Sequence, residues 1–359
     1  MALNSYEELL EQIQSDEDLR ITPKRLDLRS RGITKDDDPG YECSHMGSWR
    51  WWKNGSIYIP GIGNLLPTRH AKRQIGSQFG IKYDQFLGPM DNDPELIQRA
   101  LQPHVNARRD DPKLITKVVA RTLPKGEEVL GVDGILRGVV GPRYAEIRDV
   151  QVFDTLRKVA GSALDEMQTS LTKRTDEATF VSIVYPEAKD LAAVGDECLG
   201  GFKVWNSEVG GRSLGASEFV QRMVCANGLV INVPGDQLLY RRHSGITQIE
   251  LEQLLRDMWE RLPGRFERIA VSAHTLGTIP IHDADAEIDR FVGSQGQPKY
   301  IRDAVKEAFK LEPINTAYGV LQAITRMATA AHIDPSRQLD LENLGGKYML
   351  QMAPPTTIA

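Results

Sequence analysis

The chain is poor in the features that announce most chemistries. Cys43, Cys198 and Cys225 are its only cysteines and no two form a CxxC pair. That spacing excludes a disulfide framework and a zinc ribbon and suits reduced thiols. No run of about eighteen apolar residues occurs, so no membrane-spanning helix is expected. The opening "MALNSYEELLEQIQSDEDLR" is acidic and lacks the apolar core of a signal peptide. These absences lead to the expectation of a cytoplasmic protein. A strong positive charge is missing too: the net charge is −5. A uniformly basic coat for nucleic acid is thereby excluded, but a local basic patch is not.

Catalytic signatures are equally scarce. No GxSxG, HExxH, GxGxxG or Walker-type phosphate loop is present. "HDADAEIDRF" places Asp283, Asp285, Glu287 and Asp289 on alternate positions. It lacks the sixth-position glycine and the distant glutamate of a calcium loop, and reads instead as an acidic helix start. His243, His274 and His282 stand alone and read as structural or surface histidines. Nothing calls for a cofactor or a metal, and an enzymatic activity has no positive support.

What is present is an ordinary globular composition, 41% hydrophobic and 26% charged over 359 residues. The pattern divides into an N-terminal helix and basic arm (1–40), a helix and hairpin region (41–120), an α+β core (121–235), a helical region (236–350) and a tail (351–359). "SYEELLEQIQ" reads as a helix capped by Ser5. The charged stretch after it, with Arg20, Lys24, Arg25, Arg29 and Arg31, reads as extended or mobile. "WRWWKNGSIYIPG" is a hairpin turning at Asn54-Gly55. "LLPTRHAKRQIGSQFGI" is a helix capped by Thr68 and stopped by Gly80. "DPELIQRALQPHV" is a helix ended by Pro103.

Next, "ILRGVVG", a Gly141-Pro142 turn and "RYAEI" predict a second hairpin, followed by a helix from Asp149. "LDEMQTSLTKR", "EATFVSIVYP" and "LGGFKVWNSE" predict three antiparallel strands. "GGRSLGASEFVQRMVCANGLV" predicts a helix stopped at Asn227-Gly228. Leu251, Leu254, Leu255, Met258, Trp259 and Leu262 follow helical spacing, and "TAYGVLQAITRMATAAH" is a further helix. The expected fold class is α+β: a central antiparallel sheet with a hairpin-helix-β-β-β-α core, flanked by an N-terminal helix and hairpin and by C-terminal helices.

Basic residues interleaved with aromatics suggest binding of single-stranded nucleic acid. In "FKVWN", Lys203 and Trp205 share one face of a strand. Charge tracks phosphates and rings stack on bases, so such a pair on an exposed sheet would suit a single strand. Arg137, Arg143 and Tyr144 lie along the predicted hairpin. Arg212 precedes the predicted helix, where an anion would sit at the N-terminus. Arg241 and Arg242 follow, and Arg69, Lys72 and Arg73 line the helix after Thr68. The structural alternative is a core tryptophan and solvated arginines.

"GILRGVVGPRYAEIRDVQVFDTL", "RMVCANGLV", "PTRHAKRQIGSQFGIKYDQF" and "AYGVLQAITRMATAAH" together resemble the phage- and plasmid-related proteins grouped as a domain of unknown function. The likeness covers roughly residues 41–335. It implies a mobile-element setting, with Arg143, Tyr144, Arg222, Cys225, Asn227 and Gly228 as family positions without assigned roles. At fold level the element order is similar to RecT/Erf-type single-strand annealing proteins. The expectation is therefore a DNA-metabolism protein that binds single-stranded DNA, anneals complementary strands and self-associates. Two other readings stay open: a protein-interaction factor such as an inhibitor of a host defence system, and a metal-dependent nuclease if carboxylates such as Glu146 and Asp149 converge.

Overall fold

The computed structural model describes residues 6–28, 50–51, 55–108, 110–191, 196–222, 238–243, 245–262, 265–328 and 335–353. The α+β expectation holds, but with two sheets. The first is mixed and runs β1 (Arg20–Asp27), β5 (Ile115–Arg121), β6 (Gly134–Val140), β4 (Gly63–Pro67), β3 (Ile57–Ile59), β2 (Arg50–Trp51). Its pairs are antiparallel except β4 with β6. The second is antiparallel throughout and runs β11 (Leu239–Arg241), β10 (Leu214–Arg222), β9 (Asp196–Asn206), β8 (Thr179–Leu191), β7 (Gln168–Arg174).

Where local signals were complete, the helices begin and end as expected. α2 (Arg69–Gln78) starts at Thr68, whose Oγ1 accepts from Ala71 N at 3.1 Å, and stops before Gly80 at φ +74°. Ala71, Ile75 and Phe79 are its buried face. α8 (Ala284–Ser294) is capped by Asp283, which accepts from Ala286 N at 2.9 Å, as the acidic helix start implied. α3 (Tyr83–Phe86) is a single turn. α4 (Pro94–Ala107) runs through Pro103 instead of ending there. The missing N–H removes one ladder bond. Ile97, Leu101 and Val105 nevertheless bury one continuous stripe, which holds the last turn.

Three further expectations fail, each for a tertiary reason. The first part of the basic stretch is no free arm, because Arg20–Asp27 pairs with β5, whereas Arg29 and Arg31 lie outside the described residues. The return strand "RYAEI" does not form. β6 already has β5 on one edge and β4 on the other, so a hairpin partner has no edge to join. The predicted helix after Gly211 is the strand β10, whose residues alternate between Leu214 and Ala216 in the core and Gly215 and Ser217 on the other face. The order is therefore β-β-β-β, not β-β-β-α. Cys43, Cys225, Asn227 and Gly228 lie outside the described residues.

Three large hydrophobic cores organise the described residues. One lies under the first sheet, against α2 and α4. A second fills the inner face of the second sheet, where α1 (Tyr6–Asp18), α5 (Asp149–Ala160) and α6 (Gln248–Arg261) pack on Val181, Ile183, Phe202, Val204 and Ala216. The third belongs to the helical bundle α7 (Arg265–Thr278), α8, α9 (Lys299–Leu311), α10 (Ala317–Ala328) and α11 (Pro335–Met352), and draws only on residues 269–353.

Candidate functional site

The segment 141–148, freed from the sheets, bridges them. Tyr144 Oη donates to Ser207 O at 2.7 Å and lies 2.9 Å from His243 Nδ1. The two rings stack at 5.1 Å, nearly parallel. Ala145 N donates to His243 O at 3.1 Å, and Lys117 Nζ reaches Tyr144 O at 2.9 Å. Burial holds the Tyr144 phenol far above its ordinary value and pushes the His243 imidazole down to about 4. Both are neutral at physiological pH and act as packed hydrogen-bonding groups.

Beneath them lies an ionic cluster. Glu208 Oε1 accepts from Asp149 N at 2.9 Å, and its Oε2 accepts from Arg137 at 2.5 Å. Asp149 sits in the first turn of α5, a place the helix dipole favours for a carboxylate. It accepts from Thr179 Oγ1 at 2.5 Å and Asn206 Nδ2 at 2.8 Å, with Arg174 at 3.5 Å. Arg20 pairs with Glu146, and Arg148 Nη1 pairs with Glu17 at 2.6 Å. Burial, then the charge of Glu208, raises Asp149 to about 6. Burial raises Glu146 to about 7 even with Arg20 beside it. Glu208 is driven up by burial too, but Arg137 outweighs this and holds it below its ordinary value.

These carboxylates do not converge on one point. Glu146 faces Arg20, whereas Asp149 faces Thr179 and Asn206. Among the described residues no group of three or more His, Cys, Asp or Glu side chains is placed to hold a metal ion. The cluster joins β6, β7, β8, β9, α1 and α5 by charge-assisted bonds, which makes it a structural clamp between the sheets.

The basic residues singled out in the sequence divide into three groups. Arg137 belongs to the buried clamp. Arg69 and Arg73 share Asp84 at 3.1 and 2.7 Å, and Lys72 pairs with Asp91 at 3.0 Å, so the α2 cations are largely neutralised by neighbours. The remaining set surrounds the second sheet. Lys203 and Trp205 do share a face, but that face is covered. Trp205 is 3% exposed, packed with Ala178, Phe180 and Leu339. Lys203 Nζ lies 2.6 and 2.8 Å from the two oxygens of the fully buried Glu342. The expectation of an exposed stacking platform at Trp205 is thus corrected: α11 lies over it. Arg212 precedes a strand, so no helix N-terminus offers an anion site there. It lies 5.8 Å over the Phe180 ring and pairs with Asp340 at 3.4 Å.

Arg143 and Arg242 are exposed and adjoin the stacked Tyr144 and His243 in sequence. Arg241 is half-buried, with Nη2 3.4 Å from Gly245 O. Tyr240 stands 55% exposed on the edge strand β11 and is hydrogen-bonded by Arg242. Sequence reasoning passed over Tyr240. The cue was available in "LLYRR", where one-residue alternation sets Tyr240 on the face opposite buried Leu239.

The ladders place Tyr240 in a larger pattern. Lys173 opposes Phe180, Phe180 opposes Trp205, Trp205 opposes Gly215 and Gly215 opposes Tyr240. Directly opposed residues share a face. One row across the sheet therefore reads Lys, Phe, Trp, Gly, Tyr. The indole of Trp205 lies over Gly215, where any β-carbon would collide with the ring.

The family described as "Domain of unknown function (DUF932)" matches residues 137–343, more than half of the chain. The chain belongs to the DUF932 family. No curated protein and no solved structure matches it. The DUF932 span begins at Arg137 of the clamp and ends just past Glu342. It takes in the second sheet, its cross-strand row and most of the helical bundle, and leaves out strands β1 to β5. Among the described residues no helix is long and apolar enough to cross a membrane.

Proposed function

We propose that this DUF932 protein binds single-stranded DNA, in the phage or plasmid setting its motifs resemble, through the Tyr240 edge of the second sheet. The observation that carries the reading is the exposed end of a cross-strand aromatic row, Tyr240, with Arg242 on its hydroxyl and Arg143 exposed beside the Tyr144–His243 stack. Aromatic faces stack on any base, and arginines neutralise phosphates without reading sequence. The binding is non-enzymatic, and annealing of complementary strands follows from holding bases unpaired and accessible. A single subunit presents only a short edge, so self-association extends the track. Light scattering across micromolar concentrations, with and without DNA, tests that part, and a strictly monomeric mass removes it.

The direct test measures binding of labelled single- and double-stranded oligonucleotides at two salt concentrations, with annealing and nuclease readouts on the same samples. Tyr240→Ala is expected to cost about 1–3 kcal/mol of single-strand affinity without changing the melting temperature. Arg143→Ala and Arg242→Ala should each flatten the salt slope by about 0.7. Unchanged affinity in all three variants refutes this placement. Strand cleavage would return the nuclease reading.

A further inference from the structure

The exposed edge is the visible end of a face that continues under α11. Along that face stand Lys173, Phe180, Trp205, Lys203 and Arg212, and each meets α11. Leu339 packs on Phe180 and Trp205. Gln338 Oε1 lies 3.3 Å from Lys173 Nζ, Asp340 lies 3.4 Å from Arg212, and Glu342 takes both short contacts to Lys203. Acid on cation and an apolar group on rings is the chemistry a nucleic-acid strand would offer: phosphate on cation, base on ring. α11 is also anchored elsewhere. Leu341, Leu344, Tyr348 and Met349 belong to the bundle core, which includes no residue of the sheet. Among the described residues, α11 makes apolar contact with the sheet in the small cluster of Ala178, Phe180, Trp205 and Leu339, while α7 lies along β8 and β10.

We infer that α11 is an internal stand-in for a single strand, covering a binding face that runs from Tyr240 to Lys173, and that DNA binding displaces it. The inference rests on the proposed single-strand binding and adds its regulation. A strand engages first at Tyr240, Arg242 and Arg143. It then competes with Asp340 and Glu342 for Arg212 and Lys203. Affinity is limited by the fraction of molecules in which α11 has lifted.

Hydrogen exchange on the full-length protein, with and without saturating single-stranded oligothymidylate, tests this. Residues 238–243 are expected to slow and residues 335–352 to speed up in the complex. In a second experiment Glu342→Gln, which removes the counter-charge of Lys203, should tighten binding about tenfold or more and steepen the salt slope. The pair Lys203→Met with Glu342→Leu, which keeps α11 seated without ions, should not tighten it. Protection of 238–243 with unchanged or slower exchange in 335–352 overturns the displacement of α11 and leaves edge binding standing. Absence of binding in wild type and in Glu342→Gln alike overturns the edge reading itself.

Discussion

Replacing Glu146 by glutamine should change stability in a pH-dependent way that no surface substitution would. Glu146 is 12% exposed at its side chain and pairs with Arg20. One oxygen, Oε1, is buried without a hydrogen-bond partner. Burial raises its carboxyl from the ordinary 4.5 to about 7, with Arg20 pulling down and Glu208 pushing up. At about 1.36 kcal/mol per tenfold, that displacement corresponds to about 3 kcal/mol. The folded state holds the proton more tightly than the unfolded chain. Its contribution is therefore complete below about pH 4.5 and is lost as pH rises through about 7. Glutamine imitates the protonated acid at every pH. Glu146→Gln should thus be close to wild type at pH 5 and more stable by about 2–3 kcal/mol at pH 8. Urea denaturation of both proteins at several pH values measures the difference. Subtraction removes the other titrating groups: Asp149, which acts in the same direction, and His243, depressed to about 4 and acting in the opposite one. A variant-to-wild-type difference that stays constant from pH 5 to pH 8 would refute the assignment of Glu146 as a carboxyl whose charge opposes folding.

Trp205→Ala should lower stability by roughly 3–5 kcal/mol, seen in the denaturation midpoint, because the ring is fully enclosed by Phe180, Leu339 and the backbone of Gly215. Gly215→Ala should destabilise through the same indole and be partly rescued by a smaller residue at position 205, a coupling a double-mutant cycle reads directly. Lys203→Ala should cost about 3–5 kcal/mol, since it removes the ammonium that meets both oxygens of the buried Glu342. Melting curves that place Lys203→Ala within error of wild type would show the pair to be solvated in solution.

How much of this was legible depended on where the deciding partner lies in the chain. α2 could be read residue by residue because Thr68 and Gly80, the groups that start and stop it, are its immediate neighbours. α8 could be read for the same reason at Asp283. The return strand after Gly141-Pro142 could not be rejected from sequence, since what forbids it is β4, paired to β6 from some seventy residues upstream. β10 carries a strand's period of two in Leu214, Gly215, Ala216 and Ser217, against the helix its sequence context suggests. The Asn227-Gly228 pair, a helix-stop signal in the sequence, lies outside the described residues. The candidate site shows the same division. Alternation correctly put Lys203 and Trp205 on one face. It could not show that Glu342, 139 residues away, occupies that lysine.

That covering contact bears on what the face is for. The inner side of the second sheet meets α1, α5 and α6 through a large apolar core, the arrangement that contributes most per unit of buried area. The outer side meets α11 through Lys203–Glu342, Arg212–Asp340 and Lys173–Gln338 around one leucine. Ions taken out of water repay their desolvation poorly, and an apolar pair of similar volume commonly does as well or better. The outer side instead keeps a row from Lys173 through Phe180 and Trp205 to Tyr240 in register, with a helix whose Glu342 and Asp340 meet Lys203 and Arg212 and whose Gln338 meets Lys173. Such a surface is stable when covered and chemically competent when bare, and a face used in both states requires those two properties together.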